Sequence, residues 1–245
     1  MNSHDRPTVL VLAGCNGAGK TTFARYFCTE HFHIPTFVNA DVIARGLSGF
    51  LPKAANVEAG RILLNRLDRL TERRLDFAFE TTLAGRAHAT RMRSLQETGY
   101  RVCLVYLWLA DPSLNVARVW QRVQVGGHDV PKKTIRQRWT RSLENFFTMY
   151  LNYADVWEIY DNSSLDGPTL IARQGAGRII EVAKPSIWQR LYLTWKYSTD
   201  SCSHEAVTGD IGPSSLTNSV TQELTIHKAL GNRVASWDGE KVVWS

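Results

Sequence analysis

Hydrophobic residues open this chain as a solid block and then recur at spacings that switch between strand and helix periods. Thr8-Val9-Leu10-Val11-Leu12-Ala13 has no charged interruption, which predicts a strand buried on both faces. Thr22 to Phe27 then starts a helix, and Thr36 to Asn39 is a short strand that runs into Ala40-Asp41. Between Ala54 and Arg74 the apolar residues Val57, Ile62, Leu63, Leu67 and Leu70 fall near a 3.6 period, predicting a long amphipathic helix. Asp76 to Phe79 is a short apolar strand ending at Glu80, and His88 to Thr98 is a helix stopped by Gly99. Arg101 to Leu109 has the density of a central strand. Asp111-Pro112-Ser113 opens another helix, with proline in its first turn. Gly126-Gly127-His128-Asp129-Val130-Pro131 interrupts it. A second helix, with the stripe Ile135, Trp139, Leu143, Phe146 and Tyr150, reaches about residue 150, and Val156 to Asn162 is the last core strand. Strands alternating with helices predict an α/β fold on a parallel sheet with right-handed crossovers.

Beyond this core the pattern weakens. Leu170–Arg173 and Arg178–Val182 are short β segments, and Ile187–Tyr197 is an apolar helix rich in Trp and Tyr. Residues 1–197 are therefore expected to form the main domain. Residues 198–219, dominated by Ser, Thr, Gly and Asp, have the composition of a linker. Residues 220–245 predict a short helix near Gln222–Leu230 and a hairpin whose strands, Val234–Trp237 and Lys241–Trp244, flank Asp238-Gly239.

Composition narrows the classes. No apolar run approaches the ~18 residues of a membrane span, and the N-terminus lacks a signal-peptide core. Cys15, Cys28, Cys103 and Cys202 are scattered with no C-x-x-C pair, which points to a reducing cytoplasm rather than a disulfide framework or zinc site. The formal net charge of +6 suits an anionic substrate and also suits nucleic acid, so charge leaves the partner open.

One segment carries the chemistry. Gly14-Cys15-Asn16-Gly17-Ala18-Gly19-Lys20-Thr21-Thr22 fits G-x-x-x-x-G-K-[ST], set between a strand and a helix. Its backbone N–H groups are expected to curl around phosphate oxygens. Lys20 is expected to reach the β/γ-phosphates of ATP, and the Thr21 hydroxyl to ligate Mg²⁺. Cys15 lies inside this loop, where oxidation would obstruct nucleotide; a tolerated variable position is the plainer reading.

Asp41 follows Lys20 by one helix and one strand, which returns the chain to the carboxyl edge of the sheet, where ligands of open α/β sheets bind. A carboxylate there is a candidate general base for a kinase. Alternatively, Asn39 or Asp41 simply caps the helix that begins at Val42. Glu80 ends an apolar strand at the same edge, with Thr81 and Thr82 beside it. The helices around Gly126-Gly127 read as a lid over about residues 118–138, with the glycines as hinge and Arg118, Arg122, Arg136 and Arg138 available to pair with phosphate oxygens.

With these pieces in place, the chain resembles the short stand-alone branch of the zeta-toxin family of P-loop kinases. The likeness rests on AGCNGAGKTT, FVNADVIARGLS, EAGRILL, FAFETTL, RVQVGGHDVP and RSLENFF, in family order, from Val9 to Trp188. It implies a P-loop kinase fold and ATP- and Mg²⁺-dependent phosphorylation of a hydroxyl on a UDP-activated amino sugar. UDP-N-acetylglucosamine is the family's known substrate, and members are commonly restrained by a small antitoxin. By this resemblance Lys20 is the phosphate-binding lysine and Asp41 the catalytic base. Glu80 and Thr82, with Asn39, stand on the substrate side, and Arg122 and Arg136 act as phosphate clamps. Where larger members have E-G-T, this chain has Glu80-Thr81-Thr82, so the sugar pocket is expected to differ. Two rivals remain at this stage: a polynucleotide or RNA-end kinase, less expected, and an ATP-binding switch without phosphotransfer.

Overall fold

A computed structural model describes residues 6–47, 52–174, 180–200, 235–237 and 242–244. The uninterrupted apolar block becomes β1 (Thr8–Ala13), in which Val9 through Ala13 have no solvent exposure. It is followed by α1 (Lys20–Glu30), β2 (Phe37–Val38), α2 (Ala40–Leu47), α3 (Pro52–Glu72), β3 (Phe77–Thr81) and α4 (Ala87–Glu97). Next come β4 (Arg101–Trp108), α5 (Pro112–Gln124), α6 (Lys132–Thr148), a 3-10 turn at Tyr150–Tyr153 and β5 (Val156–Asp161). The chain continues through β6 (Thr169–Gln174), β7 (Ile180–Val182), α7 (Pro185–Asp200), β8 (Ala235–Trp237) and β9 (Val242–Trp244).

The main sheet has the order β2-β3-β1-β4-β5-β6-β7. Strands β1 to β5 are parallel, as their helical crossovers require. β6 and β7 are antiparallel, which makes the sheet mixed. The reason is the connection. Residues 162–168 are too few for a crossover of a dozen residues or more, so β6 must fold back beside β5.

Alternation along β1 divides the core between two layers. Val9, Val11 and Ala13 face one cluster with Leu63 and Leu67 of α3, Met92 of α4, Phe146 of α6 and Leu191 of α7. Leu10 and Leu12 face the other, with Ala24, Phe27 and Cys28 of α1. α7 runs to Asp200, slightly past the domain boundary expected at residue 197, and its Trp188 stacks on Trp157 with ring centroids 5.9 Å apart. β8 and β9 pair antiparallel, and the Asp238-Gly239 turn expected between them lies outside the described residues. The helix expected near Gln222–Leu230 and nearly all of the proposed linker lie outside the described residues. No helix among the described residues is long and apolar enough to cross a membrane.

Candidate active site

Register delivers the chemistry to one edge. In β1, Leu12 pairs with Glu80 and Ala13 with Thr81, so β3 ends beside the point where the glycine-rich loop leaves the sheet. β2 pairs with β3 through Val38 and Phe79, which sets Asn39 and Asp41 at that same carboxyl edge. A cleft of about 840 Å³ opens there, within the usual size of small-molecule sites.

Gly19, with φ 89°, turns the loop directly into α1, so the helix N-terminus and its unpaired N–H groups meet the cleft. Asn16, Gly17, Gly19, Lys20, Thr21 and Thr22 line it. Gly14 and Ala18 do not. Their N–H groups are spent on Thr81 O (3.2 Å) and Cys15 O (3.1 Å), which shapes the loop instead of presenting donors to a phosphate. Lys20 is only 7% exposed, and its Nζ donates to Cys15 O at 3.2 Å.

Two residues brace the loop without any forewarning from motif spacing. Asn115 Nδ2 donates to Asn16 O at 2.7 Å, and Asn162 Nδ2 donates to Ala18 O at 2.8 Å. Asn115 comes so close that a Cβ on Gly17 would lie 2.4 Å from its carbonyl oxygen, so this loop position admits only glycine. The signal for Asn115 was a polar side chain on the buried face of α5, one turn before Val119; for Asn162 it was a polar residue just past the carboxyl end of β5.

The capping question resolves in favour of Asn39. Its Oδ1 accepts from Val42 N at 3.1 Å, and its Nδ2 lies 3.4 Å from Thr21 Oγ1. Asn39 is buried at 3% exposure, with its amide committed at both ends, so it supports α2 and Thr21 and is not on the cleft wall where a substrate contact was expected. Asp41 is therefore free of capping duty. Its carboxylate lines the cleft and lies 3.7 Å from Arg122 Nη1, both side chains partly exposed. Across from it, Thr21 Oγ1 donates to Glu80 Oε2 at 3.0 Å, and Thr82 also lines the cleft. A hydroxyl backed by a carboxylate is a pair of hard oxygen donors, the type Mg²⁺ takes.

Helices α5 and α6 are docked on the loop. Val119 of α5 and Ile135 of α6 pack with Val130 against Cys15, and Cys15 Sγ donates to Ile135 O at 3.3 Å. The glycine pair expected as a hinge ends α5. Gly126 N bonds Val123 O at 3.0 Å and Gly127 N bonds Arg122 O at 2.9 Å, the paired bonds of a Schellman motif, with Gly126 at φ 81°. Arg122 Nη2 donates to His128 O at 2.7 Å. Of the four arginines on α5 and α6, Arg118, Arg122 and Arg138 line the cleft, and Arg138 Nη1 donates to Asn16 Oδ1 at 2.9 Å. Arg136 does not line it. It lies about 200° around the helix from Arg138 and is exposed, so on α6 the cation facing the loop is Arg138.

Residues 9–146, from β1 through α6, match the AAA domain family AAA_33, which covers more than half of the chain. The chain belongs to that family. It is a P-loop, kinase-like, ATP-binding domain. An uncharacterized protein of Haemophilus influenzae is 30% identical over 126 residues, which is 51% of this chain and 88% of that protein. Solved structures share the fold. The AvrRxo1-ORF1:-ORF2 complex with ATP superposes with a TM-score of 0.64 at 17% identity, over 84% of this chain but only 66% of that one. The PezAT chromosomal toxin–antitoxin system of Streptococcus pneumoniae gives 0.55 at 16% identity, over 83% and 90%.

Proposed function

We propose that this chain is a kinase that transfers the γ-phosphoryl of ATP to a hydroxyl of a UDP-activated amino sugar, and that it acts as a zeta-type toxin held in check by a small antitoxin. The observation that carries the phosphotransfer is a single cleft joining the phosphate loop to a carboxylate, Asp41, that is not the cap of α2. The acceptor class rests on the motif resemblance. The toxin role draws on the same resemblance, and the two fold relatives, solved with companion proteins, agree with it.

Asp41 takes the proton of the acceptor hydroxyl as its oxygen bonds to the γ-phosphorus. The bond from that phosphorus to the β–γ bridging oxygen breaks, and ADP leaves with the electron pair. Lys20 and the α1 N-terminus hold the phosphates, while Arg122, Arg138 and Arg118 offset the charge spread over the transferring group. Thr21, backed by Glu80, would hold Mg²⁺, which when bound supplies further charge neutralisation of the phosphates. Arg122 has to exchange Asp41 for phosphate, which frees the base.

The deciding experiment incubates the protein with ATP and a panel of nucleotide sugars and weighs the products by mass spectrometry. A phosphorylated UDP-N-acetylglucosamine or a close relative is expected. Phosphorylated RNA ends, together with steeply salt-dependent RNA affinity, would favour the polynucleotide kinase. Tight ATP binding with no product from any acceptor would leave a switch module.

A further inference from the structure

His88 is the polar residue out of pattern on α4. It shares a helix face with the buried Met92 and Leu95 at i, i+4 and i+7, where an apolar side chain is the rule. Its Nδ1 is buried with no hydrogen-bond partner, although the ring lines the same cleft as Asp41, Glu80 and Thr82. The Phe79 ring lies against it, centroids 5.3 Å apart and 39° between planes, and fixes its orientation. The turn that leads into α4 is tied to the core. Asn145 Nδ2 donates to Leu83 O at 2.6 Å, Tyr150 Oη donates to Gly85 O, and Leu83 itself sits at φ 54°, an uncommon conformation for a branched residue.

A buried N–H with no acceptor is costly, so the ring proton belongs on Nε2, the nitrogen left to meet a ligand. Burial, with Arg91 beside it, lowers the tendency of the imidazole to take a second proton. A neutral donor is poorly matched to phosphate, for which this cleft already carries Lys20 and three arginines. It is well matched to an uncharged oxygen. We propose that His88 is a specificity residue of the acceptor half of the cleft, and that its Nε2–H donates to a carbonyl or hydroxyl oxygen of the phosphoryl acceptor. The assignment rests on the kinase reading above.

Two measurements on the full chain test it. Imidazole ¹⁵N spectra, with His88 assigned by its loss in His88→Phe, are expected to show the neutral Nε2–H tautomer at pH 7. An Nδ1–H tautomer or an imidazolium overturns the proposal whatever the acceptor is. With UDP-N-acetylglucosamine as the probe, His88→Phe keeps the ring shape and loses the donor. It is expected to lower kcat/KM for that acceptor by about 10- to 100-fold while leaving ATP affinity and the melting temperature near wild type. His88→Gln, whose Nε2 restores a donor at similar reach, is expected to recover most of the loss. Equal losses in both variants, or a matching loss of ATP affinity, overturn the proposal. If wild type does not phosphorylate this sugar, the substrate assignment fails, and the tautomer alone decides His88.

Discussion

Because Asn39 caps α2, replacing Asp41 by Asn leaves the helix start intact. It also removes little stability. The Asp41–Arg122 contact is long and water-exposed on both sides, and pairs of that kind are worth about 0–1 kcal/mol. What the substitution removes is the proton acceptor. Asp41→Asn is therefore expected to slow single-turnover phosphotransfer by about 10²–10⁴-fold, with unchanged ATP affinity by calorimetry. A rate within a few-fold of wild type would reduce Asp41 to a surface charge and move the search for the base to Glu80. That Lys20, Thr21, Asp41 and Glu80 meet at one edge was legible, because each lies in or just after the carboxyl end of a strand. Asn115 and Asn162 were not legible. Bracing a loop is a matter of approach in space, and the two residues lie far from the loop in sequence.

At the scale of elements, periodicity identifies the stripe a helix buries but not which flank of that stripe faces a neighbour. On α6 the buried Ile135 and Phe146 fix the inward face, with Arg136 and Arg138 on opposite margins of it. Only the docking of α6 against Cys15 brings Arg138, and not Arg136, to the loop. The β5–β6 turn makes the same point: strand content is a local property, whereas strand direction depends on the length of the connection. The two glycines that end α5 give a test. A Cβ on Gly127 would lie 2.4 Å from Arg122 Cγ and 2.8 Å from its carbonyl oxygen, so the side chain cannot simply step aside. Gly126 has open space and only a left-handed φ. Gly126→Ala is expected to cost roughly 1 kcal/mol in chemical denaturation. Gly127→Ala is expected to cost about 1–3 kcal/mol and, by displacing Arg122, to raise the KM for ATP as well. Equal kinetics in the two variants would show that Arg122 takes no part in holding the nucleotide.

For the whole molecule, the question is where the folding unit ends. Leu191 of α7 has no solvent exposure, and Trp188 and Trp195 stack on Trp157 and Phe147 of the core. A chain ending at Asp200 is thus expected to keep one cooperative thermal transition and wild-type ATP affinity. A chain ending at Lys184 exposes those aromatic faces and is expected to lose both. Failure of the longer chain to fold would make residues 201–245 part of the core. Uninterrupted apolar runs and the 3.6 period made the α/β core readable, whereas the polar composition of 198–219 says how a segment is solvated and nothing about what it touches.

The packing of α5 and α6 on Cys15 has a chemical consequence for the loop. Burial pushes this thiol from its ordinary value near 9 up to about 11, and the opposing pull of Lys20 is too small to reverse the shift. A group whose pKa is raised on folding adds stability in full below about pH 9 and loses that contribution as pH climbs towards 11. At neutral pH the sulfur is therefore a protonated, enclosed hydrophobe. Peroxide and alkylating agents attack exposed thiolates, and burial with a raised pKa makes this sulfur a poor target while the two helices stay in place. A cysteine in the second position of a phosphate-binding loop looks like a redox fuse. In this molecule it is enclosed by α5 and α6.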